Sequence, residues 1–347
     1  MQHSVASNSP AIVRRQRELL RERYAQLVGP GENYALVDFP DHSNVGDSAI
    51  WLGEVSLLRE ITDDVPSYVC THGTYDRAAL QKAVPEGPIF FHGGGNIGDI
   101  WPSNQAFRER ILSDFPDRKI VLLPSSIHFQ DSANIDKFNR ALAGTKSTFL
   151  FVRDRPSLAI AQASIDCPVE LTPDSALGLG VIEQPARPVM EVFGLLRTDV
   201  EASGRDYTAL REAGVEIDDW LVEPQIDRRR LRNRAIFATL LNGSLSGAKA
   251  KARQYNLIAQ TRVDRGLAQL CQGEAVVSDR LHAHILCTLM GKAHVALDNS
   301  YGKVSGYWDN WHREVNNVRF ARNVDEIGPA LRELGMTEIA NRISPSR

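Results

Sequence analysis

The chain has 347 residues, 43% hydrophobic and 24% charged, with a formal net charge of −3; that length and apolar content suit two packed domains rather than one, and the charge balance argues against a general nucleic-acid binder. Its four cysteines lack CxxC spacing, which argues for reduced thiols and against a disulfide framework or a zinc site. No apolar run approaches the roughly 18 residues of a membrane span, and the polar N-terminus lacks the core of a signal peptide, so a soluble, cytoplasmic protein is expected.

Residues 1 to about 9 read as a loose polar tail. Pro10 opens a helix to about Val28, with Ile12, Leu19, Leu20, Tyr24 and Leu27 on one apolar face. Tyr34–Phe39 is the first strand, and a helix runs from about Ser48 to Glu60. Asn44, Gly46 and Asp47 fall at the turn between them. Gly46 permits close backbone approach, and Asp47 either caps the helix or lines a site. Val65–Val69 reads as a strand, Thr74–Ala83 as a helix, and Pro88–Phe91 as a buried strand that runs into His92-Gly-Gly-Gly-Asn96. Gly94, Gly95 and Asn96 then belong either to a tight turn or to a loop whose N–H groups face a ligand; the pattern is neither GxGxxG nor a Walker loop. The strand Lys119–Leu123 ends at a carboxyl edge in Pro124-Ser-Ser126, with His128 beyond. Ile135–Ala143 is helical. Thr148–Val152 delivers Arg153, Asp154 and Arg155 ahead of a helix at Ser157–Ala163, with Arg155 a possible partner of Asp154. Val169–Thr172 ends at Asp174.

Gln184–Pro188 reads as a linker. A second alternation begins with the strand Val189–Leu196, which ends in Arg197, then a helix at Tyr207–Ala213 and a strand at Glu216–Leu221. The basic stretch Asp227–Arg234 runs into apolar Ala235–Leu241, which is either a solvated helix face or a surface that docks on anionic lipid. Ala275–Val277 reads as a buried strand, Ser278 or Asp279 as a cap, and the following helix as ending at Gly291. Arg280 and His282 thus stand in a first helical turn at the carboxyl edge of a sheet, where open α/β folds bind ligands. An arginine there suits a phosphate or carboxylate; the alternative is that it pairs with a neighbouring carboxylate. His284, two residues on, points away from His282. A C-terminal helix near Val324–Leu334 closes a chain whose alternating strands and helices predict doubly wound parallel sheets.

Ser278-Asp-Arg-Leu-His282 with its small-residue helix resembles the C-terminal signature of the polysaccharide pyruvyl transferase family. Asp41–Ile50, Phe91–Asn96, Leu122–His128, Phe151–Asp154, Leu171–Asp174 and Asp298–Lys303 resemble its other segments, in the family's order, from about Tyr34 to about Trp311. The chain departs from the pattern at Ser125-Ser126, where the family often has Gln-Ser or Gln-Thr, and Asp227–Arg234 has no match. The resemblance implies two Rossmann-like α/β domains facing a cleft, GT-B-like. Residues 1–30 would be a tail and helix, 31–186 the acceptor-side domain, and 187–347 the donor-side domain with its C-terminal helix.

It further implies transfer of a pyruvyl group from phosphoenolpyruvate to a terminal sugar of an exopolysaccharide or lipid-linked oligosaccharide, forming a cyclic ketal and releasing phosphate. No cofactor is implied, and no HxxxH or carboxylate cluster calls for a metal. The resemblance gives Arg153, Arg280 and His282 catalytic places. Substrate-binding places fall to Asn44, Gly46, Asp47, Gly94, Gly95, Asn96, Ser126, Asp174 and Lys303, with Asp47 and Asp174 both standing as hydroxyl bases. Lipid-linked acceptors would bring the chain to the inner face of the plasma membrane. One rival reading is a nucleotide-sugar glycosyltransferase of the same shape, which would need an acidic signature for the ribose that the second half does not display. The other is a non-catalytic carbohydrate- or anion-binding protein, against which the joint presence of Arg153, Arg280 and His282 argues.

Overall fold

The computed structural model describes residues 7–199, 201–241 and 247–344. The loose tail expected at residues 1–6 lies outside these. Residues 7–9 are tied down rather than loose: Ser7 and Ser9 hydroxyls donate to Asn317 Oδ1, and the Asn8 N–H donates to Asn316 Oδ1. The helix Ser9–Ala25 follows, with Pro10 in its first turn and Ile12, Val13, Leu20 and Tyr24 buried.

Two all-parallel sheets organise the described residues. The first holds β1 (Ala35–Val37), β2 (Tyr68–Cys70), β3 (Ile89–Phe91), β4 (Gly94–Gly98), β5 (Lys119–His128), β6 (Ser147–Val152) and β7 (Val169–Leu171). Its order is β2-β1-β3-β5-β6-β7, with β4 beside the far half of β5. The second holds β8 (Met190–Leu195), β9 (Glu216–Asp218), β10 (Gly273–Ser278), β11 (Ala293–Leu297) and β12 (Val318–Ala321), in the order β12-β11-β10-β8-β9. β1 and β3 are apolar at every position and fully buried, as strands covered by helices on both faces must be. The Gln184–Pro188 segment lies between the two sheets without regular structure.

The halves are not packed independently. Helix Gly247–Leu270, from the second half of the chain, lies against helix Val45–Thr62 and β2. Tyr255 stacks on Phe39 at 4.1 Å, and Trp51 Nε1 donates to Asn256 Oδ1. One hydrophobic core therefore runs through both halves.

Several expectations need correction. His92–Asn96 is not a free loop: from Gly94 the chain pairs with β5, Gly94 opposite Ser125 and Gly98 opposite His128. β5 does not stop at Leu123; it passes through Pro124 at an irregularity in its register and continues to His128. A helix at Pro102–Asp114 was not foreseen. Asp47 is not the cap of its helix. Asn44 is, its side chain accepting the Gly46 N–H at 3.1 Å. Neither Ser278 nor Asp279 caps helix Leu281–Leu289: Asp279 instead accepts the Arg197 N–H at 2.8 Å. Gly291, at φ 61°, ends that helix as expected. The C-terminal helix expected near Val324–Leu334 is present as a short 3-10 turn, Val324–Glu326, running into the helix Ile327–Glu333; a further helix, Thr337–Ile343, follows Gly335 at φ 90°.

Candidate active site

A cleft of about 580 Å³ opens between the carboxyl edges of the two sheets. Asn44, Asp47, His92, Gly95, Asn96 and Arg153 line it from the first sheet's side; Arg197, Asp199, Glu201, Arg280, His282 and Lys303 line it from the second.

His282 enters from the first turn of helix Leu281–Leu289 and meets the N-terminus of helix Val45–Thr62. A Cβ on Gly46 would lie 2.4 Å from His282 Nδ1, so this histidine can sit here only because residue 46 is glycine. His282 Nε2 is enclosed, 3.5 Å from Asp174 Oδ2. Asn44 donates to Asp47 Oδ2 at 2.8 Å and so turns that carboxylate to the cleft. Burial pushes the Asp47 carboxyl up, but His42, His282, His92 and Arg153 outweigh it and hold it below its ordinary range.

Arg153 follows β6 and is almost wholly buried. Its Nη1 donates to Asp174 Oδ2 at 2.7 Å, its Nε to Ser126 Oγ at 2.9 Å, and its carbonyl accepts Trp311 Nε1–H at 2.9 Å. Its Nη2 faces Gly95: a Cβ there would stand 3.4 Å from Arg153 Nη2 and 3.2 Å from Lys303 Nζ. Glycine thus lets two cations close on the backbone of β4. Burial, and to a lesser degree Arg153 and Arg197, lower the Lys303 ammonium's pKa against the pull of Glu201.

Arg280 is placed differently from the expectation that its fork grips a donor. The guanidinium already makes a bidentate pair with Asp219, at 2.6 and 2.7 Å, and reaches Asp199 at 3.3 Å. Asp174 and Ser126 lie behind the cleft wall. Asp174 is fully buried, and its bonds to Arg153 and to the Ala176 N–H occupy both oxygens, so it is not placed to take a proton from a sugar hydroxyl. Ser126 donates to Asp154 at 2.6 Å. Asp154 does not pair with Arg155. It caps helix Arg155–Ser164, and Arg155 donates to Asn310 Oδ1. Gly94, at φ 111°, lies against Asp47. His128 packs edge-on to Tyr301, and His284 is buried with His294 and His312.

Some site groups carried no sequence signal. Asp199, Glu201 and Asp219 have no motif spacing, yet they hold Arg197, Lys303 and Arg280. Glu54 did carry one: it is a carboxylate on the otherwise apolar stripe of helix Val45–Thr62, and it pairs with His92 at 2.8 Å. Among the described residues no group of three or more His, Cys, Asp or Glu is placed to hold a metal, no helix is long and apolar enough to cross a membrane, and the four cysteines are free.

A family model described as polysaccharide pyruvyl transferase matches residues 44–301. Pyruvyl transferase 1 of Schizosaccharomyces pombe is 29% identical over 91% of this chain and 79% of its own. EpsO of Bacillus subtilis, provisionally named a pyruvyl transferase, is 31% identical over 83% of this chain and 88% of its own. A crystal structure of an uncharacterised Klebsiella pneumoniae protein superposes with a TM-score of 0.56 over 89% of this chain and 98% of that one; at 18% identity it speaks to the fold alone.

Proposed function

The chain belongs to the polysaccharide pyruvyl transferase family, and from that premise we propose that it transfers a pyruvyl group from phosphoenolpyruvate to a terminal sugar of an exopolysaccharide or lipid-linked oligosaccharide, closing a cyclic ketal and releasing phosphate. The observation that carries this reading is the meeting of Arg153, Lys303 and His282, from three distant stretches of sequence, on one cleft. The donor is a small frame with a phosphate and a carboxylate. Arg153 Nη2 and Lys303 Nζ, both close to Gly95, offer adjacent cations for it.

In this mechanism His282 gives a proton to the methylene carbon of the donor while a sugar hydroxyl attacks the neighbouring carbon. Asp174 Oδ2 stands beside the imidazole, 3.5 Å from its Nε2. Phosphate then leaves and a second hydroxyl closes the ketal. Asp47 reaches the cleft, but its lowered pKa suits it to hold a hydroxyl by hydrogen bond rather than to remove its proton. Arg280, forked onto Asp219, shapes the wall. We read the architecture as GT-B-like, with residues 31–186 on the acceptor side and 187–347 on the donor side.

A lipid-linked acceptor extends this reading to a membrane. Helix Arg228–Leu241 sits beside the cleft, Arg228 donating to Asp41 on its wall at 2.5 Å. Arg229, Arg230, Arg232 and Arg234 are exposed on its first half, and Ile236, Phe237, Leu240 and Leu241 on its second. Basic and apolar groups together fit an anionic lipid surface. On this reading the protein works in the cytoplasm, against the inner face of the plasma membrane. Flotation with phosphatidylglycerol vesicles tests it: no binding, or binding indifferent to Arg-to-Glu changes at 229, 230, 232 and 234, removes the membrane contact.

The reaction is tested by incubating the protein with phosphoenolpyruvate and terminal galactosides, glucosides and mannosides. Phosphate release and an acceptor mass gain of roughly 70 Da, pyruvate added and water lost, are expected. His282→Ala should lower turnover by about 10²–10⁴-fold with the fold intact; near-normal activity would remove the acid role. In thermal-shift titration phosphoenolpyruvate should stabilise and nucleotide sugars should not; the reverse would favour a glycosyltransferase.

A further inference from the structure

The scheme above leaves one proton without a carrier. Ketal formation takes two hydroxyl protons: one replaces the proton His282 gives to the methylene carbon, and the other must reach the departing phosphate. His92 and Glu54 are placed for that task.

His92 is the first residue beyond β3, its N–H donating to Val37 O at 3.1 Å. Its Nδ1 lies 2.8 Å from Glu54 Oε2, and Glu54 Oε1 accepts the Gly93 N–H at 2.8 Å. Both carboxylate oxygens are thereby used, and Glu54 has no exposure at all. The arrangement puts the ring proton on Nδ1 and, in the neutral imidazole, leaves the Nε2 lone pair open. Gly93 is part of the device, since a Cβ there would fall 3.2 Å from Glu54 Oε1 and 2.5 Å from Pro124 O. His92 Nε2 is buried with no hydrogen-bond partner, on a residue that is 2% exposed and lines the cleft. A histidine kept only to join a helix to a strand would have no reason to leave a ring nitrogen unpartnered at a cavity wall. Asp47, on the same wall, acts electrostatically on both His92 and His282, so the two imidazoles serve one small volume.

We propose that His92 is a second acid–base group of this site, its Nε2 taking the proton of an acceptor hydroxyl, with Glu54 as its positioning residue. The proposal rests on the pyruvyl-transfer reading. As the hydroxyl oxygen bonds to the central pyruvyl carbon, its O–H bond breaks and the proton passes to Nε2. The bond from that carbon to the phosphate oxygen breaks with its electron pair on phosphate, and His92 returns the proton there. Two hydroxyl protons end as one C–H and one phosphate O–H, and no outside reagent is needed. Glu54 acts as a carboxylate behind an imidazole does in hydrolytic triads: it fixes the tautomer and steadies the charged ring.

The groups facing the pair are few. Burial lowers the His92 pKa, but Glu54, Asp47 and Asp38 together outweigh it and raise it. Burial raises that of Glu54, with Asp174 adding to the rise and His92 and the Gly93 N–H opposing it. Removing the Glu54 charge should therefore let His92 lose its proton at lower pH.

The test compares wild type, His92→Gln and Glu54→Gln with phosphoenolpyruvate and p-nitrophenyl galactoside, glucoside and mannoside, following phosphate release and thermal shift. His92→Gln should lower kcat by about 10²–10⁴-fold while stabilisation by phosphoenolpyruvate is unchanged. Glu54→Gln should lower kcat and move the acid limb of its pH profile to lower pH. Turnover by His92→Gln within threefold of wild type, joint loss of donor binding and kcat, or an unmoved limb in Glu54→Gln would overturn the proposal alone. Failure of the wild type to release phosphate with any acceptor would overturn the pyruvyl-transfer reading and this proposal with it. Should His92→Gln not fold, His92→Asn and the Glu54→Gln limb decide the matter by the same criteria.

Discussion

Gly46→Ala isolates the contact on which His282 depends. The added Cβ would meet His282 Nδ1 at 2.4 Å, its Cγ at 2.5 Å and its Cβ at 2.7 Å. Ordinary contact begins near 3.4 Å, so ring or helix must retreat by about 1 Å. Retreat is confined, because His282 is held between Asp174 and the core face of its own helix. Overpacking of this kind costs about 1–3 kcal/mol, while alanine in place of glycine in a helix returns up to about 1 kcal/mol. The net loss of about 0–3 kcal/mol should lower Tm by about 10 °C at most, at roughly 2–4 °C per kcal/mol. Turnover is far more sensitive, since a misplacement of about 1 Å at a reacting group costs on the order of 10²-fold. The assay is phosphate release from phosphoenolpyruvate plus acceptor, run beside a melting curve. Gly29→Ala is the control, where a Cβ meets nothing closer than 3.9 Å. Gly46→Ala with kcat within threefold of wild type would refute the claim that this glycine exists to admit the imidazole.

Arg280→Lys replaces a two-pronged charge-assisted contact with buried Asp219 by one bond, while the Trp220 and Thr198 N–H groups stay on its oxygens. Stability should fall by about 1–3 kcal/mol along with activity, read as a lower urea midpoint; loss of activity alone would mean that the guanidinium acts on the donor after all. Glu201→Gln removes the carboxylate that holds Lys303 at 3.0 Å and Arg197 at 3.2 Å. Phosphoenolpyruvate should then bind about tenfold tighter, the size of one like charge removed at about 10 Å with an effective dielectric near 20; weaker binding would sink that assignment. Burial, joined by repulsion between rings for His284 and His312, holds His284 well below the usual histidine range and pushes His294 down to about 4 and His312 to about 3. The unfolded chain takes up protons near 6.5 and the folded one does not, so stability is full above that pH and falls as pH drops toward 4. At pH 5 the loss is about 2 kcal/mol for one such group, and equal urea midpoints at pH 7 and 5 would refute it.

The strand and helix order was legible because buried parallel strands are short apolar runs and their helices carry periodic apolar faces. What escaped depended on distant partners. Gly94–Gly98 has the composition of a turn, and only β5 alongside makes it a strand. Helix Pro102–Asp114 turns Gln105 and Arg108 into the protein along with Phe107 and Ile111, so its inward face does not read as apolar. Arg153 and His282 were found through motifs, but the carboxylate partners were not: Asp219 and Glu201 reach Arg280 and Lys303 only through folding, and Asp199 and Glu201, though they stand just beyond Arg197, match no motif. Arg280 shows the cost: its sequence context points to an anion, while the atoms show that a carboxylate of the chain itself fills the fork.

That observation separates the cations of the cleft into two kinds. Each is buried enough to need a counter-charge: Arg153 has Asp174, Arg280 has Asp219, Arg197 has Asp199 and Glu201, and Lys303 has Glu201. Asp174 and Asp219 sit behind the wall, and losing them would strand a buried charge at a cost of about 3–5 kcal/mol. Asp199 and Glu201 are on the wall itself, where an anionic ligand can take their place beside the cations. Under the proposed chemistry the donor competes with Glu201 for Lys303 and Arg197, while Arg153 keeps Asp174 through Nη1 and offers Nη2. Charge removal should then have opposite effects at the two depths. At residue 201 it should tighten donor binding; at residue 174 it should loosen Arg153 and His282 together, lowering both stability and turnover.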